Sequence, residues 1–274
     1  MERDSASRNT DTVKRKYDQT GRESGVHGPQ WEILHGGYFS DPAVAAPFLE
    51  SVQQAIVLSG PEVIVDLGGG TGFMLRELLK HRSAAGLHLV NLDISQKQLD
   101  MTGEHRIVTV RKSINEFRRE DAERAEKRFL FIMRSALHYF GRDGMMPALR
   151  HLRAQMKRGE FFVHQTACLT RGREARCLNR LYDCMDSQKW YPTCTYLAAC
   201  LKKTGWQIRS VIPAPPLRLT SRDLARRYNL GRQHLAEIRT IFRTHSENLA
   251  DIFRNTPEGF EALLHYRIFT CIAE

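Results

Sequence analysis

The chain predicts an α/β fold: a doubly wound, mostly parallel sheet of seven strands, with a helical extension before it and a helical insert ahead of the last strand. Three observations carry this expectation. Short apolar runs rich in β-branched residues alternate with stretches of helical periodicity. One such run, VIVDL at 63–67, passes directly into the glycine-rich GGGTG at 68–72. The last apolar run, LLHYRIFTCI, has no helix after it.

Residues 1–42 precede the core. The stretch MERDSASRNTDTVKRKYDQTGRESG is polar and has no apolar segment of the kind that directs export, and its first dozen or so residues are expected to be loosely ordered. The core is expected over 43–212. AVAAPFLESVQQAIVL, 43–58, reads as a helix packed ahead of the first strand. Strands are expected at about 62–67, 87–92, 106–110, 129–133 and 160–166. Phe73, Leu75, Leu78 and Leu79 share one helical face after strand one, and DGMMPALRHLRAQMK gives the helix between strands four and five. Helical residues near 193–204 lead into strand six, WQIRSVIP.

Residues 213–260 form an insert, and 261–274 return to the core as its last strand, about 264–272. The insert opens on PAPPLRL, which proline keeps from being helical. Ser221 is the expected N-cap of the helix that follows. Leu224, Tyr228, Leu235, Ile238, Ile241 and Phe242 recur at helix-like intervals and require a partner surface. That surface is either the open face above the ligand site or a second subunit, which would make a homodimer. SRDLARRYNLGRQHLAEI also has the two-helix outline of a helix-turn-helix.

The net charge is +10, with 41 Lys and Arg against 31 Asp and Glu. Much of the excess lies between Lys202 and Arg243, a surface that either attracts nucleic acid or another anion, or is simply solvated. No apolar run is long enough to span a bilayer. Without an export signal, a cytoplasmic chain with reduced thiols is expected. Cys168, Cys177, Cys184, Cys194, Cys200 and Cys271 include no CxxC pair, so no metal site is expected. They read as small buried hydrophobes, with a soft-metal thiolate cluster between 168 and 200 as the alternative.

The glycines pose a sharper question. They fall on a tight strand-to-helix turn, where glycine accepts positive φ and leaves no Cβ to obstruct a ligand. Their spacing, Gly68, Gly70 and Gly72, is not the GxGxxG of dinucleotide binders. Asp66 stands two residues before the first glycine; its carboxylate would repel a pyrophosphate but not a ligand bearing an ammonium and a sulfonium. Asp93 ends the second strand about twenty residues beyond the glycines. An acid there binds ribose hydroxyls in nucleoside-binding α/β folds, or else caps the helix that ISQKQL begins. Ligands of open α/β sheets sit outside the carboxyl ends of the strands, which singles out Arg134, Ser135, His138 and Tyr139 after strand four and His164 on strand five.

The pattern D-x-G-x-G-x-G at 66–72 resembles motif I of the class I S-adenosylmethionine (SAM)-dependent methyltransferases, and the likeness runs over about residues 60–166. LHYF at 137–140 stands where small-molecule O-methyltransferases have LHDW and ubiquinone-type C-methyltransferases have LHHF. The spelling DLGGGTG is common in the former. The resemblance implies a Rossmann-like methyltransferase fold with a reversed seventh strand, and SAM as cofactor. It assigns Asp66 to the methionine end of SAM, the backbone of Gly68, Gly69, Gly70 and Gly72 to its lining, and Asp93 to its ribose. Ile94, Ser113, Ile114 and Arg134 complete the cofactor set, with Asn115 an alternative contact to the base. Many relatives carry an aspartate where Ser113 stands.

His138 is the position of the general base in the O-methyltransferases, or else a ring packed on the cofactor or capping the next helix; Tyr139 and His164 are the other catalytic candidates. QWEILHGGYF, 30–39, loosely resembles the lead-in of tocopherol- and sarcosine-type methyltransferases, and with Gly36 and Gly37 as a hinge it would fold over the cofactor as a lid. The expected acceptor is a small molecule, methylated on O, N, S or C. A nucleic-acid-directed enzyme, or a DNA-binding regulator using 218–243, is the alternative. Against it, no [DN]-P-P-[YFW] block follows strand four.

Overall fold

A computed structural model of the chain describes residues 29–244, 249 and 251–274. The expectation of a loosely ordered first dozen residues therefore lies outside the described residues. The first helix, Pro29–Ile33 (α1), runs into a 3-10 turn over Leu34–Gly37. His35, Gly36 and Gly37 in that turn all have positive φ, at 54°, 66° and 80°. Pro42–Ser59 (α2) is capped by Asp41, whose carboxylate accepts from the Ala43 N–H at 2.8 Å, and stops at left-handed Gly60.

The sheet begins with Val63–Leu67 (β1), buried at every position, as expected of a strand covered on both faces. Phe73–Leu78 (α3), His88–Asp93 (β2), Gln96–Leu99 (α4), Ile107–Arg111 (β3) and Phe129–Arg134 (β4) follow. Then come Gly141–Ala154 (α5), Phe161–Ala167 (β5), Gly172–Cys184 (α6) and Cys194–Lys203 (α7). Helix α6 is absent from the sequence reading. The chain ends with Trp206–Thr220 (β6), Ser221–Tyr228 (α8), Arg232–Thr244 (α9), Phe253–Thr256 (β7) and Gly259–Ala273 (β8).

The seven expected strands lie on one path, β3-β2-β1-β4-β5-β8-β6, and the short β7 adds an eighth beside β8. The pairs β2–β3, β1–β2, β1–β4 and β4–β5 are parallel, while β8 runs antiparallel to both β5 and β6. The reversed strand is thus present. The chain leaves β1 toward β2 and β3, then returns to β4 on the other side of β1. The loops after β1 and β4 diverge at that switch point and open a crevice. One core layer joins Ile64, Leu130 and Val163 to α2, α3 and α6; the other joins Val65, Phe131 and Phe162 to α5 and α7.

Strand six is much longer than expected, because it continues through Pro213, Pro215 and Pro216 to Thr220. It is the outermost strand on the path, where proline's missing N–H interrupts no second ladder. Strand β8 also starts early, so β6 and β8 form a ribbon that still pairs Thr220 with Glu261. Strand therefore occupies both ends of 213–260, and helix occupies the middle. The N-cap of α8 is Thr220, one residue before the expected Ser221. Its hydroxyl accepts from the Asp223 N–H at 3.0 Å, and Asp223 in turn accepts from the Thr220 N–H. The apolar face of the insert packs on its own chain: α9 lies against α6, and Phe242 stacks on Phe253 at 4.0 Å. Among the described residues no helix is long and apolar enough to cross a membrane.

Candidate active site

The turn after β1 is tied to β2, since the Gly68 and Gly69 N–H groups both donate to the Leu92 carbonyl, at 2.7 and 3.1 Å. Gly68, Gly70 and Gly72 have φ of 73°, 57° and 74°, a region that side chains disfavour. Gly69 is required for a different reason: a Cβ there would lie 2.3 Å from the Asn91 Oδ1 and 2.6 Å from the Asp66 Cγ.

Asp66 is 1% exposed, and among the described residues neither of its carboxylate oxygens has a hydrogen-bond partner. Burial, helped by the charge of Asp93, pushes its pKa up to about 7, against the pull of Arg134. The Asp93 carboxylate accepts from the Gly70 N–H at 3.0 Å and the Ser95 N–H at 2.8 Å. Asp93 is not the helix cap: the N-cap of α4 is Ser95, and Asp93, two residues earlier, lines the cavity.

That cavity, of about 250 Å³, lies at the carboxyl ends of β1 to β4. Asp66, Gly68, Gly69, Gly70, Asp93, Ile94, Ser113, Ile114, Arg134 and Tyr139 all line it, as does Asn115. Gly72 instead packs behind the turn, where a Cβ would meet Thr102 at 2.9 Å.

Two expected catalytic residues are placed elsewhere. His138 does not line the cavity; it is buried, with its ring stacked on Tyr191 at 5.0 Å and its carbonyl accepting from the Trp190 N–H. His164 lies in the middle of β5, not beyond its end, stacked between Phe162 and Phe269 at 4.7 and 5.0 Å. Its Nδ1 is 2.7 Å from the Thr166 hydroxyl, and burial pushes its pKa down to about 3, so it stays neutral inside the sheet. Tyr139, the next residue along from His138, is the one whose side chain reaches the cavity.

The wall above the cavity comes from distant parts of the chain. Trp31 and Phe39, stacked at 5.0 Å, both line it. Arg134 holds their segment down by donating to the Phe39 and Tyr38 carbonyls at 3.1 and 3.2 Å. The Tyr38 hydroxyl donates to the Pro215 carbonyl at 2.6 Å. Arg227 of α8 lies over the Trp31 ring at 5.4 Å and donates to the His35 Nε2 at 2.9 Å and the Tyr139 hydroxyl at 3.1 Å. Burial lowers the His35 pKa, with the Asp223 carboxylate 3.9 Å away opposing, which suits a neutral ring accepting from Arg227. Buried Lys189 places its ammonium 4.6 Å from the Tyr139 ring centre and 2.8 Å from the Tyr228 hydroxyl. Gln188, beside it, lines the cavity. Sequence reasoning missed Gln188 and Lys189, which lie in no recognisable motif.

An unpaired buried carboxylate next to an open glycine turn, with a second acid one strand away, suits a ligand carrying a positive charge and neighbouring hydroxyls. These residues fit SAM, and they oppose a pyrophosphate. The profile of a family described as "Methyltransferase domain" matches residues 44–211, and the chain belongs to that family. It is a SAM-dependent methyltransferase, with SAM as its cofactor.

Solved structures agree on the fold. The YcgJ protein of Bacillus subtilis superposes with a TM-score of 0.64 at 12% identity, over 84% of this chain and 99% of that one. The 1,6-didemethyltoxoflavin-N1-methyltransferase of Burkholderia thailandensis, solved with 1,6-didemethyltoxoflavin and S-adenosylhomocysteine, gives a TM-score of 0.55 at 15% identity, over 97% of this chain and 89% of that one. Among curated protein sequences none matches this chain.

Proposed function

We propose that this methyltransferase modifies an O, N, S or C atom of a small-molecule acceptor held under the wall of Trp31, Phe39, Tyr139, Phe140 and Gln188. The observation that carries this reading is the closure of the cavity by three separate parts of the chain, all lending aromatic or polar side chains of a size suited to a small ligand. Asp66 takes the cofactor's ammonium, the Gly68–Gly70 backbone lies along its methionine part, and Asp93 takes the ribose hydroxyls. Ser113, Ile114 and Asn115 flank the base. Residues 30–39 act as the lid, and α8 braces it through Arg227.

SAM, when bound, supplies a methyl carbon already activated by its sulfonium. The protein's task is then mainly to hold the acceptor in line, a contribution of up to roughly 7–11 kcal/mol. A base is required only if the acceptor arrives protonated. Tyr139 is the side chain placed to orient the acceptor atom or take its proton.

The exposed Arg222, Arg226, Arg232 and Arg239 favour a second reading, a nucleic-acid substrate or a DNA-binding regulator. Arg227 speaks against it, since it turns inward to His35 and Tyr139. Incubation with methyl-labelled SAM, in parallel with a metabolite extract, RNA and duplex DNA, separates the two. Label in a small-molecule fraction is expected. Label in nucleic acid, or salt-sensitive duplex binding with no transfer at all, would replace the proposal with the second reading.

A further inference from the structure

Cys168 follows β5 directly, and Cys194 is the first residue of α7. The backbone has already drawn them together. The Leu169 N–H donates to the Pro192 carbonyl at 3.0 Å, and the Cys194 N–H donates to the Leu169 carbonyl at 2.9 Å. Their sulfurs lie 2.9 Å apart. A disulfide at about 2.05 Å needs a further closure of only about 0.9 Å. Cys168 is buried, while Cys194 is half-buried and is the more accessible of the two.

We propose that Cys168 and Cys194 form a reversible disulfide site, oxidised by a peroxide and restored by a low-molecular-weight thiol. The Cys194 thiolate attacks one peroxide oxygen; an S–O bond forms, the O–O bond breaks, and the departing hydroxide takes up a proton as water. The Cys168 thiol then attacks the Cys194 sulfur. The S–S bond forms, the S–O bond breaks, and a second water leaves with the thiol proton. The two sulfurs together lose two electrons, and the peroxide gains them.

The surroundings favour this order of events. The hydrogen bond from Cys168 draws the Cys194 thiol down to about 7, and Arg267 adds in the same direction against burial and Glu174. The start of a ten-residue helix also favours a thiolate. The same hydrogen bond and burial push Cys168 up, so it waits as the thiol. Burial raises Cys177, Cys184, Cys200 and Cys271 as well, which makes them poorer first targets. The bond would close a loop over residues 169–193. That loop contains α6 together with Gln188 and Lys189 of the acceptor wall, so oxidation would staple this wall to the exit of β5.

The test uses the full-length reduced protein, treated with a slight excess of hydrogen peroxide and then blocked with an alkylating reagent. The expected result is an intact mass, taken before blocking, lower by two hydrogens, a peptide map of the blocked protein joining Cys168 to Cys194, and full reversal by dithiothreitol. In Cys168→Ser the cross-link should be lost and Cys194 should advance to the sulfinic acid, with circular dichroism confirming that the variant is folded. A wild-type protein whose Cys194 goes to sulfinic acid without cross-linking would overturn the proposal. So would a map that joins other cysteines, or one in which both thiols stay reduced while another is oxidised.

Discussion

Asp66 stands one residue before the end of β1 with both oxygens unpaired among the described residues, and burial keeps a proton on it up to a pH of about 7. Because this pKa is raised above the unfolded value of 3.8, the associated stability is fully present below 3.8 and is lost as pH rises through about 7. A bound ammonium reverses that preference and drives the proton off. Affinity for S-adenosylhomocysteine should therefore climb by up to about tenfold per pH unit below pH 7 and level off above it. Calorimetry across that range checks this, and Asp66→Asn should bind weakly with little pH dependence. Tyr139→Phe should lower turnover by about 10² if the acceptor arrives protonated, with S-adenosylhomocysteine affinity unchanged. His138→Gln should cost thermal stability while leaving turnover per folded molecule near wild type, and an active Tyr139→Phe beside a dead His138→Gln would reverse the assignment. Asp66 and Asp93 were legible because strand ends are marked by composition. The choice between His138 and Tyr139 was not, because it turns on which of two adjacent side chains a 3-10 turn aims inward. That depends on the stacking partner Tyr191, far along the chain.

At the level of elements, the parallel strands were legible to within a residue or two, since each is a short, largely apolar run, and all but β3 at the sheet edge are buried along nearly their whole length. The end of β6 was not, because its prolines read as a stop. Only the position of β6 at the sheet edge makes them acceptable, and edge position is a property of the whole sheet. Strand β7 has just Phe253 as an apolar residue and left no pattern to find. Helix α6 did leave one, with Ala175, Leu178, Leu181 and Tyr182 on one buried face. The cap of α8 gives a test of this scale. Thr220→Ala removes the hydroxyl's half of the reciprocal hydrogen bonding with Asp223, leaving the backbone N–H of residue 220 still donating to the carboxylate, and should cost about 1 kcal/mol, read from the thermal midpoint and from faster amide exchange in α8. Ser221→Ala, outside that pair, should cost measurably less.

Across the whole molecule the site divides by the range of its contacts. Apart from Arg134, the half assigned to the cofactor comes from consecutive segments between Asp66 and Asn115, where local patterns mark it. The other half joins Trp31, Phe39, Tyr139 and Gln188, with Arg227 behind them; the sequence offered 30–39 as a lid and Tyr139 as a candidate, but no local pattern points to Gln188 or to Arg227 turning inward. Trp31 and Phe39 close the same cavity that holds Asp66, and Arg134, which pins their backbone, itself lines that cavity. Traffic through the enzyme should then be queued: cofactor enters first, acceptor second, methylated product departs, and the spent cofactor is last out. Its release would set the pace of turnover. Product-inhibition kinetics read this directly. S-adenosylhomocysteine should compete with SAM and be noncompetitive toward the acceptor, and competition with the acceptor instead would mean that the two ligands come and go through separate doors.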